Sequence, residues 1–290
     1  MSESTGLGAV GLLSRRRVVD QALTVTLSVV MAGTLALLLW VLGYVGVEGL
    51  KYLGPEFLTQ TPPGNAADAG GGFLNGIIGS TIMVGIATVI AVPIGVGTAI
   101  YVQEYAGPGA GTARFLTDVL VGIPSIVTGA FVYAIWVVHF GFSGIAGGLA
   151  LGLVMTPLIV RTSEEMLRLV SRDLREASLA MGIGRARTIV SVVLPTASSG
   201  LITGVMLAVA RAMGETAPLL LTALGNDLFI ETNPTKRMSS LSLQIFGNAI
   251  TGYRTAQARA WAGALTLIAL VLIFTLIARL VGRRSAIAGR

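Results

Sequence analysis

Apolar residues in this chain come in long runs separated by shorter polar stretches. Runs long enough to cross a hydrocarbon core of about 30 Å at about 1.5 Å per residue fall at 22–47, 75–101, 116–139, 144–160, 198–224 and 261–281. The pattern predicts an all-α polytopic membrane protein with six transmembrane helices, the fourth being the shortest. The first run exceeds a signal-peptide core and follows directly on "SRRR" (Ser14 to Arg17), so it reads as a retained anchor. Residues 1–20 then form a tail and 21–290 a transmembrane domain.

Two polar segments, 48–72 and 225–259, fall on one side of the membrane, and 161–197 falls on the other. "TPPGNAADAGGG" in the first predicts a flexible, mobile connection. "NPTKRMSSLSLQIFGNAITGY" in the second predicts a short re-entrant or surface helix. Interior prolines are expected at Pro93, Pro124, Pro157 and Pro218. Each removes an N–H from the helical ladder, and Pro218 would leave the Gly214 carbonyl without its donor. Freed carbonyls must face protein or water, unless the prolines only kink the helices for packing. Gly144, Gly148 and Gly152, and likewise Gly200 and Gly204, form small-residue stripes suited to close helix contact.

Composition agrees: 53% of residues are hydrophobic, 12% are charged and the mean hydropathy is +0.81, against about 25% charge in soluble domains. The absence of cysteine excludes a disulfide framework, a zinc site, a thiol nucleophile and an iron–sulfur cluster from this chain alone. The net charge of +6 matters less than where it lies. With six spans drawn, fourteen Lys and Arg residues fall on the side of the termini and the 161–197 loop, and five fall opposite. Positive charge is retained inside, which predicts cytoplasmic termini and a cytoplasmic loop.

Within the fifth run, "VARAMGETAP" (Val209 to Pro218) carries Arg211 and Glu215. Arg211 lies about 20 Å from the start of that run at the helical rise, near mid-membrane. A charge there costs about 2.5–3.5 kcal/mol on insertion scales, so both groups should face a protein or water-filled interior. Their i, i+4 spacing puts them on one face. The pair could serve packing alone, yet buried pairs are often no better than apolar residues. The other reading is that the guanidinium meets a transient anion. Glu215 would then hold Arg211 between passages, with Thr216 and the Gly214 carbonyl nearby.

The inner loop, "REASLAMGIGRARTIVSVVLP" (Arg175 to Pro195), predicts a short helix, a glycine turn and a second helix start. An arginine-rich projection could also rest on anionic headgroups. Glu176-Ala177-Ser178, Gly182 and Val192-x-Leu194-Pro195 stand at the spacing EAA-x3-G-x9-I-x-LP, with Ser and Val replacing Ala and Ile. This resembles the EAA loop of permease subunits of bacterial ATP-binding-cassette importers. "IAVPIGVGTAIYVQEYA", "VGIPSIVTGAFVY", "TPLIVRTSEEML", "RAMGETAPLLLTALGN" and "MSSLSLQIF" are similar to stretches of the phosphate-specific permeases of the PstA family.

The resemblance implies a type I importer fold in a bacterial inner membrane. It also implies four partners beyond phosphate itself: a homologous PstC-like permease subunit, two PstB-like ATPase subunits and an extracytoplasmic PstS-like phosphate-binding protein. Glu176, Ala177, Ser178, Gly182, Leu194 and Pro195 would couple to the ATPase; Arg211, Glu215, Thr216 and Arg161 would line the anion route. No cofactor is implied for this chain, since ATP and Mg would reside on the partner.

Neither Lys51 in "GLKYL" nor Lys236 in "PTKRM" fits a phosphate loop, so a nucleotide site must lie elsewhere. A permease for another solute would keep the EAA loop but not need Arg211. An ion-coupled carrier would use Arg211, Glu215 and His139 as a proton relay, although His139 near Trp136 also reads as an interfacial residue. Catalytic motifs for an intramembrane enzyme are missing, and Asp118 reads as a helix-start residue.

Overall fold

The computed structural model describes residues 6–288. Every regular element among them is helical. Helix α1 (Gly6–Leu50) is one continuous helix, so residues 6–20 of the expected tail are helical as well. The described residues up to Glu48 form a unit by themselves, with exposed apolar side chains from Val18 to Val47.

In the second unit, the described residues from Gly49 on, α2 (Pro55–Thr59) precedes α3 (Leu74–Ile100). The latter ends in a π-helical turn, Tyr101–Tyr105. The chain continues through α4 (Ala110–Gly122) and α5 (Ser125–Val132), then a second π-turn (Tyr133–Val137) and α6 (Val138–Phe140). Next come α7 (Gly144–Leu169), α8 (Arg172–Ala180), α9 (Arg185–Thr188), a third π-turn (Ile189–Val193) and α10 (Leu194–Gly214). The unit closes with α11 (Ala217–Thr222), α12 (Leu241–Ala249) and α13 (Arg254–Ala288).

Among the described residues, five helices are long and apolar enough to cross a membrane, and a sixth crossing requires counting α4 and α5 as one span, bent by 104°. The third expected span is therefore two helices. The fourth extends nine residues past Val160, to Leu169. The fifth is a 30-residue helical run from Arg185 to Gly214 followed by a break and α11.

Proline explains much of this. Pro93 and Pro157 do lie inside continuous helices. Pro124 instead caps the N-terminus of α5, and Pro218 occupies the first turn of α11. With no N–H to return to the preceding turn, each of these two begins a new helix.

Helices α3, α7, α10 and α11 surround one core in which Met83, Ala87, Leu151, Met155, Ile159, Ala212 and Leu219 are all buried. Small residues bring the backbones together: a Cβ at Gly148 would lie 2.6 Å from Ile86 Cγ2 of α3, and one at Gly204 would collide with Thr162 of α7. Since lipid is as apolar as leucine, this interlocking rather than water exclusion holds the bundle.

The 48–72 segment is tied down where its composition predicts mobility. Phe57 is buried against Phe73, ring centres 5.1 Å apart. Arg259 of α13, itself buried, donates to the carbonyls of Ala66, Asp68 and Gly70. The later segment does carry the expected short helix, α12, capped by Ser240 on the Leu243 N–H.

Candidate functional site

Two helix breaks face each other. Between α4 and α5 the chain is extended at Ile123 and Pro124; between α10 and α11 it is extended at Glu215. A Cβ at Gly129 of α5 would lie 2.6 Å from the Cα of Pro218, so α5 and α11 cross backbone to backbone. Beside this crossing is a cavity of about 60 Å³ lined by Arg211 with Leu120, Ile123, Ser125, Thr128, Pro157 and Leu158. Since about 10–15 Å³ admits a water, it can be solvated.

Arg211 therefore sits in the last turn of α10 and not in mid-helix, although the α7 residues around it, 153–158, lie midway along that helix. The basic side chain suits the negative end of the helix dipole. Its Nε approaches Glu215 Oε1 at 3.4 Å, a long single contact. The Arg211 side chain is 59% exposed and that of Glu215 only 15%. Among the described residues, the remaining guanidinium N–H groups have no partner. The arrangement offers a cation with free donors at a break with room for water, restrained by one weak contact.

Glu215 is held through its backbone, because Ser242 Oγ donates to its carbonyl at 2.9 Å and bonds with Ser240 Oγ at 3.1 Å. Thr216 is half-buried, and its carbonyl accepts the N–H groups of Leu219 and Leu220, closing the first turn of α11. Arg161 lies one turn beyond Pro157 on α7 and pairs with Asp118 Oδ1 at 2.5 Å, both side chains half exposed. Asp118 thus sits late in α4 as an ion-pair partner and not at a helix start. His139 is exposed in α6, with its ring 6.3 Å from Phe140, and it lines no part of the Arg211 cavity.

At the arginine-rich end, α8 and α9 form a helical projection. Ser171 caps α8 by accepting the Leu174 N–H. Gly182, at φ +79°, ends it: its N–H bonds to the Leu179 carbonyl while that of Ile183 bonds to Ser178. This paired closure requires a left-handed residue at that one position, which favours glycine. Ser178 is buried and its hydroxyl meets that of Thr188 at 2.9 Å, joining α8 to α9. Glu176 and Ala177 are exposed beside Leu179, and Met181 is 80% exposed at the tip. Leu194 and Pro195 begin α10, half-buried and exposed respectively. The second arm of the projection, α9, and the fifth span are therefore one helical run.

A cluster that no motif announced lies at the base of this projection. Arg175 forks onto Glu104, Nη2 to Oε1 at 2.6 Å and Nε to Oε2 at 3.1 Å. It also donates to the carbonyls of Leu167, Val170 and Ser171. Arg185 donates to the main-chain carbonyl of Glu104 and lies over the Tyr105 ring, 5.2 Å from its centre. A lone acid closing an otherwise apolar run in "AIYVQEYA" is the signal that could have found it. A second cluster, buried at the opposite end, joins Gln244 to Asn75 and Asp227, with Asn75 donating to the Asn226 carbonyl.

Comparison with known proteins is consistent in sequence and in structure. Residues 91–287 match the family "Binding-protein-dependent transport system inner membrane component". The chain is 40% identical over 264 residues to the phosphate transport system permease protein PstA of Yersinia pestis, covering 90% of this chain and 88% of that one. Against PstA 1 of Mycobacterium tuberculosis identity is 40% over 219 residues, covering 73% and 70%. In structure, a bacterial alginate ABC transporter chain superposes with a TM-score of 0.64 at 14% identity, over 92% of this chain and 96% of that one. A chain of the inward-facing MetNI methionine ABC transporter gives 0.56 at 19% identity, over 75% and 95%. The fold is that of type I importer permeases, and the chain belongs to the binding-protein-dependent transport system inner membrane components, in the branch of the PstA permeases.

Proposed function

We propose that this chain is a membrane subunit that passes inorganic phosphate into the cytoplasm, driven by ATP hydrolysis on a separate subunit. The observation that carries the reading is Arg211: a guanidinium at a double helix break, on a cavity large enough to hold water, with donors left over after one 3.4 Å contact to Glu215. A planar fork of donors matches phosphate oxygens. Conduction also requires release, and Glu215 competes for the same guanidinium, so the anion is handed on rather than trapped. The Arg161–Asp118 pair, one turn along from the cavity wall, continues a polar track toward the arginine-rich end. The PstA relatives are named for phosphate transport, which supports this choice of anion.

On this reading both termini and the α8–α9 projection are cytoplasmic, by the excess of arginine there. The apolar tip formed by Leu179 and Met181 seats in a groove of a PstB-like ATPase that holds ATP and Mg. A PstC-like subunit completes the path, and a PstS-like protein delivers phosphate from the opposite side. Nucleotide-driven closure of the ATPase pair moves the projection, and the run from Arg185 to Gly214 carries that motion to the Arg211 break.

The test is reconstitution with these partner subunits. Phosphate-loaded binding protein should raise ATPase turnover, and vesicles should accumulate phosphate with ATP but not with a proton gradient alone. Uptake driven by the gradient without ATP would overturn the reading.

A further inference from the structure

We propose that Glu104 and Arg175 form a strut that stays closed through the transport cycle and makes the α8–α9 projection move as one body with the inner ends of α3 and α7. The inference rests on the reading that the projection is pushed by an ATPase, and it assigns positioning residues outside the EAA spacing.

Only Val170 and Ser171 connect the end of α7 to the start of α8. So short a link between two helices is a natural hinge, and a hinge would absorb the push before it reached the bundle. Arg175 removes that freedom. It bonds the carbonyl of Leu167 in the last turn of α7, which also accepts the Val170 N–H, and those of Val170 and Ser171 in the link itself. With the rest of its fork it grips both carboxylate oxygens of Glu104. Every guanidinium nitrogen is thus engaged across two helices and the link between them.

The second arm of the projection is tied to the same residue, since Arg185 donates to the Glu104 carbonyl and covers Tyr105. Ser178 and Thr188 bond the two arms together. Glu104 itself lies on a π-turn, and the chain leaves it through Ala106 at φ +47°, a conformation alanine rarely adopts. That turn brings α3 to the base of the projection. The Glu104 side chain is 7% exposed and that of Arg175 is 19%. A desolvated pair of this kind is poor at raising stability over apolar packing, whereas its bidentate geometry fixes position and angle.

The experiment uses the assembled complex in vesicles. Glu104→Gln keeps the shape and removes the charge; it should assemble and hydrolyse ATP at the basal rate, while phosphate moved per ATP falls by about ten-fold, the loss of one charge-assisted contact. The chain has no cysteine. The double variant Glu104→Cys/Arg175→Cys therefore accepts a bismaleimide bridge in a complex whose partners lack reactive thiols. Uptake should be low before bridging and recover to at least about half of the unmodified level after it, because a strut need never open.

Wild-type transport by Glu104→Gln overturns the proposal. Bridging that abolishes uptake overturns it too, since the pair would then have to open. Failure of Glu104→Gln to assemble assigns the pair to folding and likewise overturns it. If the unmodified complex moves no phosphate, it is the transport reading that fails, and the per-ATP ratio never enters.

Discussion

Two arginine–glutamate pairs in this chain share their chemistry and little else. Arg175 and Glu104 are desolvated, bidentate at 2.6 and 3.1 Å, and the guanidinium is saturated by three further carbonyls. Arg211 and Glu215 touch once at 3.4 Å, with the arginine 59% exposed beside a cavity. Proximity along the sequence gives the opposite impression. The loose pair is four residues apart across the end of one helix, while the tight one bridges 71 residues and two helices. What separates them is how many donors the fold consumes. A saturated guanidinium can only hold, whereas one with donors to spare can bind and release.

The contrast predicts unequal costs when the cation is removed. Arg175→Met leaves the Glu104 carboxylate buried without its partner, and should cost about 3–5 kcal/mol of stability in thermal unfolding of the purified chain. Arg211→Gln leaves a largely exposed cation site empty and should change unfolding by no more than about 1 kcal/mol. If the two variants melt alike, the distinction between holding and carrying pairs is lost. Function should invert the order. Arg211→Gln should reduce phosphate uptake by about 100-fold or more while the complex still assembles, the loss of two charge-assisted bonds at about 1.5 kcal/mol each. Full uptake by that variant would remove Arg211 from the route.

Gly182→Val probes the end of the holding region. At φ +79° a β-branched residue is strained by about 1–2 kcal/mol, enough to misplace the Ser178 and Leu179 closures. ATPase turnover should then respond less to loaded binding protein, by about five- to ten-fold. The Arg211 cavity is far along the fifth span, so phosphate binding there should be untouched. A variant with normal coupling would show that the turn tolerates the strain.

Much of this was legible in the sequence because the membrane restricts the choices. Long apolar runs have to be helices; the run at α3 reads to within one residue at either end, whereas α7 starts at the expected Gly144 but runs nine residues longer and α13 extends seven residues beyond the expected span at each end. The helix formers up to Met181 and the glycines after them likewise located α8 and the Gly182 turn. Tertiary events left no trace in hydropathy. Nothing in "VGIPSIVTG" distinguishes a kink at Pro124 from the 104° bend that the backbone makes. The run 144–160 gave no warning that α7 continues through Arg161, Glu164 and Glu165, because those charges read as loop until Arg114 is seen at 3.4 Å from Glu164 and Asp118 beside Arg161. The glycine-rich 61–72 stretch looked mobile since its anchor, Arg259, lies nearly 200 residues on. Glu104 was missed for the same reason: its partners are distant in sequence, and charge pairing over such separations has no period.

The finest distinction concerns what keeps the Arg211 contact weak. Glu215 cannot swing to a bidentate grip while its backbone is fixed at the break, and the fixing group is the Ser242 hydroxyl on its carbonyl, backed by Ser240. Ser242→Ala should cost about 1 kcal/mol of stability, one neutral hydrogen bond with its acceptor left partly buried. It should also let Glu215 approach Arg211, so that phosphate meets a better-occupied guanidinium. The half-saturating concentration of loaded binding protein for uptake should then rise about three- to five-fold, with the maximal rate nearly kept. Ser242→Thr, which retains a hydroxyl, should restore both. A lowered melting temperature with unchanged uptake kinetics would mean that Ser242 supports α12 alone, and that the looseness of the Arg211 pair is set by the helix ends themselves.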